Sequence, residues 1–286
     1  MTKIAFVGSG KMAEALIAKL AKSNQIMAAD IDAKRLNYLK KKYKIKITKE
    51  NSEAFRFGEV VIFAVKPQNM SEAIGEIGGI GGKKLESSST TLGASRNSRL
   101  ENWKGKLVIS IAAGVSLGFL QRRLPGMAII RTMPNNPCFI GQGITAIAKG
   151  NKATAKNVKQ AKAIFESVGQ VFDVPEKLMD AVTGLSGSGP AFVYQTIEAL
   201  ALGGVDAGLP KQLAERFALQ TVIGAALTVK NTGKSPTELT VMVASPGGTT
   251  IEGLKMLEKY ELPKAFKEAV AAAARKSANL SKKLEN

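Results

Sequence analysis

Apolar residues in the first half of the chain gather in short continuous runs, each followed by a stretch with helical spacing. Lys3-Ile4-Ala5-Phe6-Val7 is such a run. After a polar turn, Met12, Leu16 and Leu20, with Ala13 and Ile17 beside them, recur every three to four residues. That pattern predicts strand, turn and helix in that order. Gln25-Ile26-Met27-Ala28-Ala29 reads as a second strand. Val60 to Val65 is apolar throughout, as expected of a parallel strand covered on both faces. Leu107 to Ile111 and a run from Ile129 continue the series, and Ile144 to Ala148 and Val171 to Val174 read as shorter strands closing the sheet. After Phe172 the pattern turns helical. Ala191 to Leu202 and the Ala-rich Leu209 to Lys230 are apolar on more than one face, and Glu252 to Tyr260 and Pro263 to Lys283 follow. Helices apolar all round need burial by a partner, so this half is expected to form a subunit interface. The prediction is an α/β chain: a doubly wound parallel sheet over residues 1–172, then an all-α dimerisation and substrate domain over residues 173–286.

The first turn carries chemistry. Gly8-Ser9-Gly10-Lys11-Met12-Ala13 is a GxGxxA sequence at the first strand-to-helix crossing, the context of a Rossmann-type dinucleotide site. Gly8 permits the tight turn, Gly10 lets a pyrophosphate approach the backbone, and Ala13 keeps helix and strand close. A purely structural turn is the bland alternative. The second strand ends at Asp30, twenty residues after Gly10. An acid there bonds the adenosine ribose and disfavours the extra phosphate of NADPH. Lys34 and Arg35 one turn later offer cations for that phosphate, and Asp32 could fill the acid's place structurally. Ligands bind at the carboxyl ends of parallel strands, which points to Val65, Lys66 and Pro67, although Lys66 also suits a solvated loop. Ala112-Ala113-Gly114 are small enough to leave room for a nicotinamide ring. Arg131 to Pro137 leads to a polar, proline-bounded loop on the same edge, bringing Asn135 to the cofactor.

A second turn lies far down the chain. In Ser245-Pro246-Gly247-Gly248-Thr249-Thr250, Pro fixes φ and two Gly allow positive φ, and Ile251, Leu254 and Leu257 continue an apolar face. The two Thr are expected at the cap and first turn. Backbone N–H groups converging at a helix start make a receptor for a carboxylate or phosphate, and an ordinary helix cap is the plain alternative. GLSGSGP, Gly184 to Pro190, lacks the Lys and the preceding strand of a phosphate loop, so helix packing is expected there.

Composition narrows the chemistry. The chain has 286 residues, 45% apolar, with one cysteine, which excludes a disulfide framework and fits a reducing, cytoplasmic compartment. No secretory or membrane-spanning segment is read. The net charge of +18 is spread over helices with only 6% aromatic residues, so solvated faces that draw in anionic ligands are expected, and no nucleic acid or membrane partner. Histidine is absent. That removes the His-based hydride-transfer catalysis that reduces ketones and argues against a metal site. A cyclic imine asks for less, because it is readily protonated and its carbon is already activated.

On these residues the chain resembles the pyrroline-5-carboxylate reductases. The likeness rests on FVGSGKMAEA from Phe6, AVKPQ from Ala64, SIAAGV from Ser110, RTMPNNP from Arg131, DAVTGLSGSGPAF from Asp180 and SPGGTTIEGL from Ser245. It implies reduction of 1-pyrroline-5-carboxylate to L-proline by NADPH or NADH, without metal, in a homodimer or a higher homo-oligomer such as a decamer. It further implies that Ser245, Gly248, Thr249 and Thr250 hold the substrate, with the Thr250 hydroxyl at the imine nitrogen. Two features depart from the family. A surplus at Lys83 to Lys106 has the composition of a flexible loop and is expected away from the site. Thr240-Val241-Met242 stands where relatives carry polar or charged residues, so the polar contact is not carried over to Met242. The rivals are a 3-hydroxyacid or 6-phosphogluconate type of dehydrogenase, whose catalytic Lys is missing from Ala191 to Leu202, and a nucleotide-sensing protein without chemistry.

Overall fold

The computed structural model describes residues 1–77 and 105–285, so the surplus expected at 83–106 lies outside the described residues except for its last two. The described chain divides into two compact units, Met1–Gly187 with Ala272–Asn286, and Ser188–Ala271. The first begins with β1 (Lys3–Val7), α1 (Lys11–Leu20), β2 (Gln25–Ala29), α2 (Ala33–Tyr43), β3 (Lys46–Thr48), α3 (Asn51–Phe57) and β4 (Val60–Phe63). Beyond α4 (Met70–Ile77) come β5 (Leu107–Ser110), α5 (Leu117–Arg123), β6 (Ala128–Met133), β7 (Gly143–Lys149), α6 (Ala155–Glu166) and β8 (Gly169–Asp173). The sheet order is β3-β2-β1-β4-β5-β6-β7-β8, parallel except where β7 meets β6. Successive connections run outward from β1 in both directions, so the crevice between the carboxyl ends of β1 and β4 is the topological switch point where ligands of such sheets bind.

Alternation along each strand fills both faces. Ile4 and Phe6 of β1 face a core with Leu16, Ile62, Ile109 and Phe165. Ala5 and Val7 face the other, with Phe55, Phe63, Met70, Val108 and Phe119. Being covered on both sides, the central strands read as unbroken apolar runs rather than alternating ones.

One ionic cluster ties α1 to α2. The Glu14 carboxylate accepts from Tyr38 (3.0 Å), Lys42 (3.1 Å) and Tyr43 (2.9 Å), and lies 2.7 Å from Arg35. Burial raises the pKa of this carboxyl, but the bonds from Arg35, Tyr43, Lys42 and Tyr38 outweigh it and lower it from 4.5 to about 2. A carboxylate with a depressed folded pKa adds stability above its unfolded pKa and loses it as pH falls toward the folded value. Wild type should therefore outlast Glu14→Gln in thermal melts at neutral pH, and the gap should shrink as pH falls from 4.5 toward 2. A gap that stays constant across that window contradicts the assignment.

The second unit is helical: α8 (Gly189–Asp206), α9 (Lys211–Thr232), α10 (Pro236–Val243), α11 (Thr249–Lys259) and the start of α12 (Leu262–Glu285); the short α7 (Met179–Val182) precedes it. α8 and α9 form a hairpin, with Gly204 close enough that a Cβ there would sit 3.2 Å from the Ala214 Cβ. Its only buried hydrophobic residues are Ala201, Ala214 and Ala218, whereas Tyr194, Leu200, Leu202, Phe217, Leu219 and Leu227 are exposed. Apolar helices with so little core of their own are built to be covered by another chain.

Candidate active site

The glycine turn sits at the switch point. Gly8 has φ +90, and a Cβ there would lie 2.8 Å from both Ala64 C and Val65 N, so the turn is pressed against the end of β4 and admits only glycine. Gly10 is different in kind. It caps α1 with φ −62, a conformation open to any residue, and a Cβ there would meet nothing within 4 Å. The chain itself gives no reason for glycine at that position; close approach of a ligand does. The cap makes no side-chain bond, which leaves the first N–H groups of α1 to a partner such as pyrophosphate. Ser9 and Ala13 are buried, Met12 is half-buried against the core, and Lys11 is exposed.

Asp30 reaches this turn. Its Oδ2 accepts from Ser9 N (2.7 Å) and Ser9 Oγ (2.8 Å), and its Oδ1 accepts from Asp32 N (3.0 Å). Asp32 caps α2 by accepting from Lys34 N and Arg35 N. Arg35 donates to Ser9 O (2.7 Å) and Gly10 O (3.2 Å) while pairing with Glu14. The sequence offered Arg35 as a phosphate holder; the fold uses its guanidinium to brace the glycine turn from behind. Only Lys34 of that pair keeps a free exposed ammonium among the described residues. Val65 and Pro67 are half-buried and Lys66 exposed, all following β4 beside Gly8.

The two remaining loops have internal reasons for their residues. Ala112 is in the core and Gly114 packs against the chain's own last helix, where a Cβ would lie 2.7 Å from Leu280 Cβ. Of the small residues expected to leave room for a ring, only Ala113 keeps a partly open side. Asn135 is buried and its Oδ1 accepts from Ile144 N (2.9 Å), tying β7 to the loop after β6. A cavity of about 690 Å³, lined by Ile147, Lys149, Lys159 and Lys162 among others, lies on the β7–β8 side and includes none of these residues.

In the second unit, Ser245 to Gly248 form a turn and α11 begins at Thr249. Gly247 has φ +72, which favours glycine, and at Gly248 a Cβ would lie 2.6 Å from Ser245 Oγ, which can turn aside, and 3.0 Å from Ser245 O, a tight approach. Gly248, not a Thr, is the cap, and no side chain caps the helix. Gly248 N donates to Ser245 O (2.9 Å), while Thr249 and Thr250 occupy the first turn, where N–H groups lack acceptors in the helix. The Thr250 side chain is exposed and makes no hydrogen bond among the described residues. First-turn N–H groups of this kind, with no acceptor in the helix and no side-chain cap, are suited to an anion.

Two family models match this chain: pyrroline-5-carboxylate reductase dimerisation over residues 176–280, and NADP oxidoreductase, coenzyme F420-dependent, over residues 3–87. The chain is 44% identical to the pyrroline-5-carboxylate reductase of Synechocystis, over 98% of this chain and 99% of that one. It is 40% identical to that of Methanosarcina acetivorans, over 98% of each. Among solved structures it is similar to the Plasmodium falciparum pyrroline carboxylate reductase with NADP bound, with TM-score 0.83 and 29% identity over 98% of each chain. Full-length identity at this level, with the dimerisation model over the helical half, places the chain in the pyrroline-5-carboxylate reductase family.

Proposed function

We infer that the chain reduces 1-pyrroline-5-carboxylate to L-proline with a hydride from a reduced nicotinamide nucleotide, as the final step of proline synthesis. The observation that carries the reading is Gly10, a glycine that the fold does not need and a nucleotide does. When bound, the cofactor supplies the hydride; the chain's residues bind, orient and exclude water. Gly8, Ser9, Gly10, Lys11, Met12 and Ala13 form the pyrophosphate turn, with Val65, Lys66, Pro67 and Ala113 around the rest of the nucleotide, and Ala112, Gly114 and Asn135 support that edge from within the fold. Thr249 and Thr250 N–H groups, with Gly248 in the turn that Ser245 shapes, hold the substrate carboxylate. The Thr250 hydroxyl meets the ring nitrogen, donating to the neutral imine or accepting from its protonated form. An imine needs no stronger acid, which is why a chain without histidine suffices. Purified protein should oxidise NADPH or NADH only when the pyrroline carboxylate is added, forming proline; oxidation without it, or none with it, would reject the function.

Asp30 sets the choice of nucleotide in this reading. Its carboxylate is held in place by Ser9 and Asp32, and Arg35 is already engaged, so an extra ribose phosphate meets a fixed negative charge. Two charges about 5 Å apart at an effective dielectric near 20 repel by about 3 kcal/mol. We expect Asp30→Ser to move the ratio of kcat/KM values toward NADPH by about tenfold or more. Equal losses with both nucleotides would show that Asp30 only supports the turn.

The chain is a homo-oligomer built on its helical unit. We propose a dimer as the building block, with the decamer as its further assembly, and light scattering at micromolar concentration should give a dimer mass or a multiple of it. A fully active monomer would contradict this.

A further inference from the structure

Beyond Ala272 the last helix, α12, belongs to the first unit. Ser277 is buried on it and Ala273, Ala274, Leu280, Ser281 and Leu284 are half-buried, a spacing of three and four that makes one helical face. That face lies against the loop joining β5 to α5, residues 111–116. Gly114 there has φ +70, and a Cβ would sit 2.7 Å from Leu280 Cβ and 3.0 Å from Ser277 O. Leu284 packs on the cluster that contains Ala112 and Val115.

A polar chain holds the other side of the same loop. Ser277 is 2% exposed, and its hydroxyl donates to Asp180 Oδ1 at 2.7 Å. The same Asp180 oxygen lies 3.6 Å from a guanidinium nitrogen of Arg131, which is itself 5% exposed. Arg131 also donates to Glu176 Oε1 at 3.2 Å, and that oxygen accepts from Leu117 N at 2.5 Å. Leu117 opens α5, immediately after the loop. Thr132, next to Arg131 on β6, donates to Ser110 O at 3.1 Å, immediately before the loop. From Ser277 through Asp180, Arg131 and Glu176, hydrogen bonds and ion pairs run to Leu117 just after residues 111–116, while Thr132, the residue next to Arg131 on β6, holds Ser110 just before them.

Apolar contacts alone leave a helix free to rotate or slide by small steps at little cost. A buried hydroxyl tied through half-buried carboxylates to a buried guanidinium favours one register, because another would leave the Ser277 hydroxyl and the Arg131 guanidinium buried without these partners. We propose that the C-terminal part of α12 is a positioning strut for the 111–116 loop, with Ser277 and Leu280 setting that loop for the nucleotide. The proposal rests on the reading that Ala113 borders the cofactor. None of the strut residues touches the reacting atoms, so Ser277 and Leu280 are positioning residues.

Isothermal titration with NADPH and NADH, combined with steady-state kinetics, tests it on the full-length oligomer. Ser277→Ala and Leu280→Ala should each weaken nucleotide binding by about threefold or more, while KM for the pyrroline carboxylate moves by less than about twofold. Ser277→Thr, which keeps the hydroxyl, should bind the nucleotide more tightly than Ser277→Ala. Should Ser277→Ala not fold, Asp180→Asn replaces it. Unchanged nucleotide affinity in the folded variants, or equal losses for nucleotide and substrate, would overturn the strut. Ala113→Val separates the two ideas. If Ala113→Val weakens nucleotide binding and the strut variants do not, the strut fails and the loop assignment stands. If all are silent, the loop assignment falls and the strut falls with it.

Discussion

Gly10→Val is expected to abolish nucleotide binding while the protein remains folded. The backbone at Gly10 has φ −62, which valine adopts without strain, and a Cβ there meets no atom of the chain within 4 Å. The substitution therefore threatens little inside the protein; valine in place of glycine at a helix cap costs on the order of 1 kcal/mol or less. The isopropyl group instead occupies the space through which a pyrophosphate approaches the N–H groups of α1. Loss of that contact should weaken both NADPH and NADH by about a hundredfold or more, or roughly 2.7 kcal/mol. Calorimetric titration beside a thermal melt reads both quantities. Wild-type affinity in the folded variant would remove the glycine turn from the site. The neighbouring glycine would respond in the opposite way, because a side chain at Gly8 collides with the backbone of Ala64 and Val65 at φ +90 and acts on folding first.

The second large effect is expected from Thr250→Val. Gly248 caps α11 and Thr250 makes no bond to the described chain, so nothing in the fold depends on its hydroxyl. Valine has nearly the same shape, and an exposed substitution of this kind shifts stability by about 0.5 kcal/mol or less. If the hydroxyl meets the imine nitrogen, kcat/KM for the pyrroline carboxylate should fall by about tenfold or more, about 1.4 kcal/mol of transition-state stabilisation. Nucleotide affinity should be unchanged. Wild-type kinetics in this variant would leave Thr250 without a part in the reaction.

Much of the fold was legible because parallel strands covered on both faces cannot hide. The runs from Lys3, Gln25, Val60, Leu107 and Ile129 become the five strands around the switch point, and the runs from Ile144 and Val171 become β7 and β8. β3 was missed. It has three residues, begins with a lysine and lies at the sheet edge, so no apolar run marks it. The strand from Val60 ends at Phe63 rather than Val65, because Ala64 and Val65 turn against Gly8.

The site was legible only where its cause is local. Spacing suffices to identify the turn at Gly8 and the helix start near Thr249. It does not reveal that Gly114 is small for Leu280, that Asn135 anchors Ile144, or that Arg35 is spent on Ser9 and Gly10, since each partner is distant in sequence. The cap assignment went to the threonines because Thr favours that position; the Pro-Gly-Gly turn instead delivers Gly248 there.

Transfer of label from the nucleotide tests the central claim most directly. With NADPH or NADH deuterated at the transferable position of the nicotinamide and the pyrroline carboxylate as acceptor, the protein should yield L-proline carrying one deuterium on its δ carbon for each nucleotide oxidised, and no label elsewhere. Proline without deuterium, or nucleotide oxidised without proline, would contradict hydride transfer to the imine carbon.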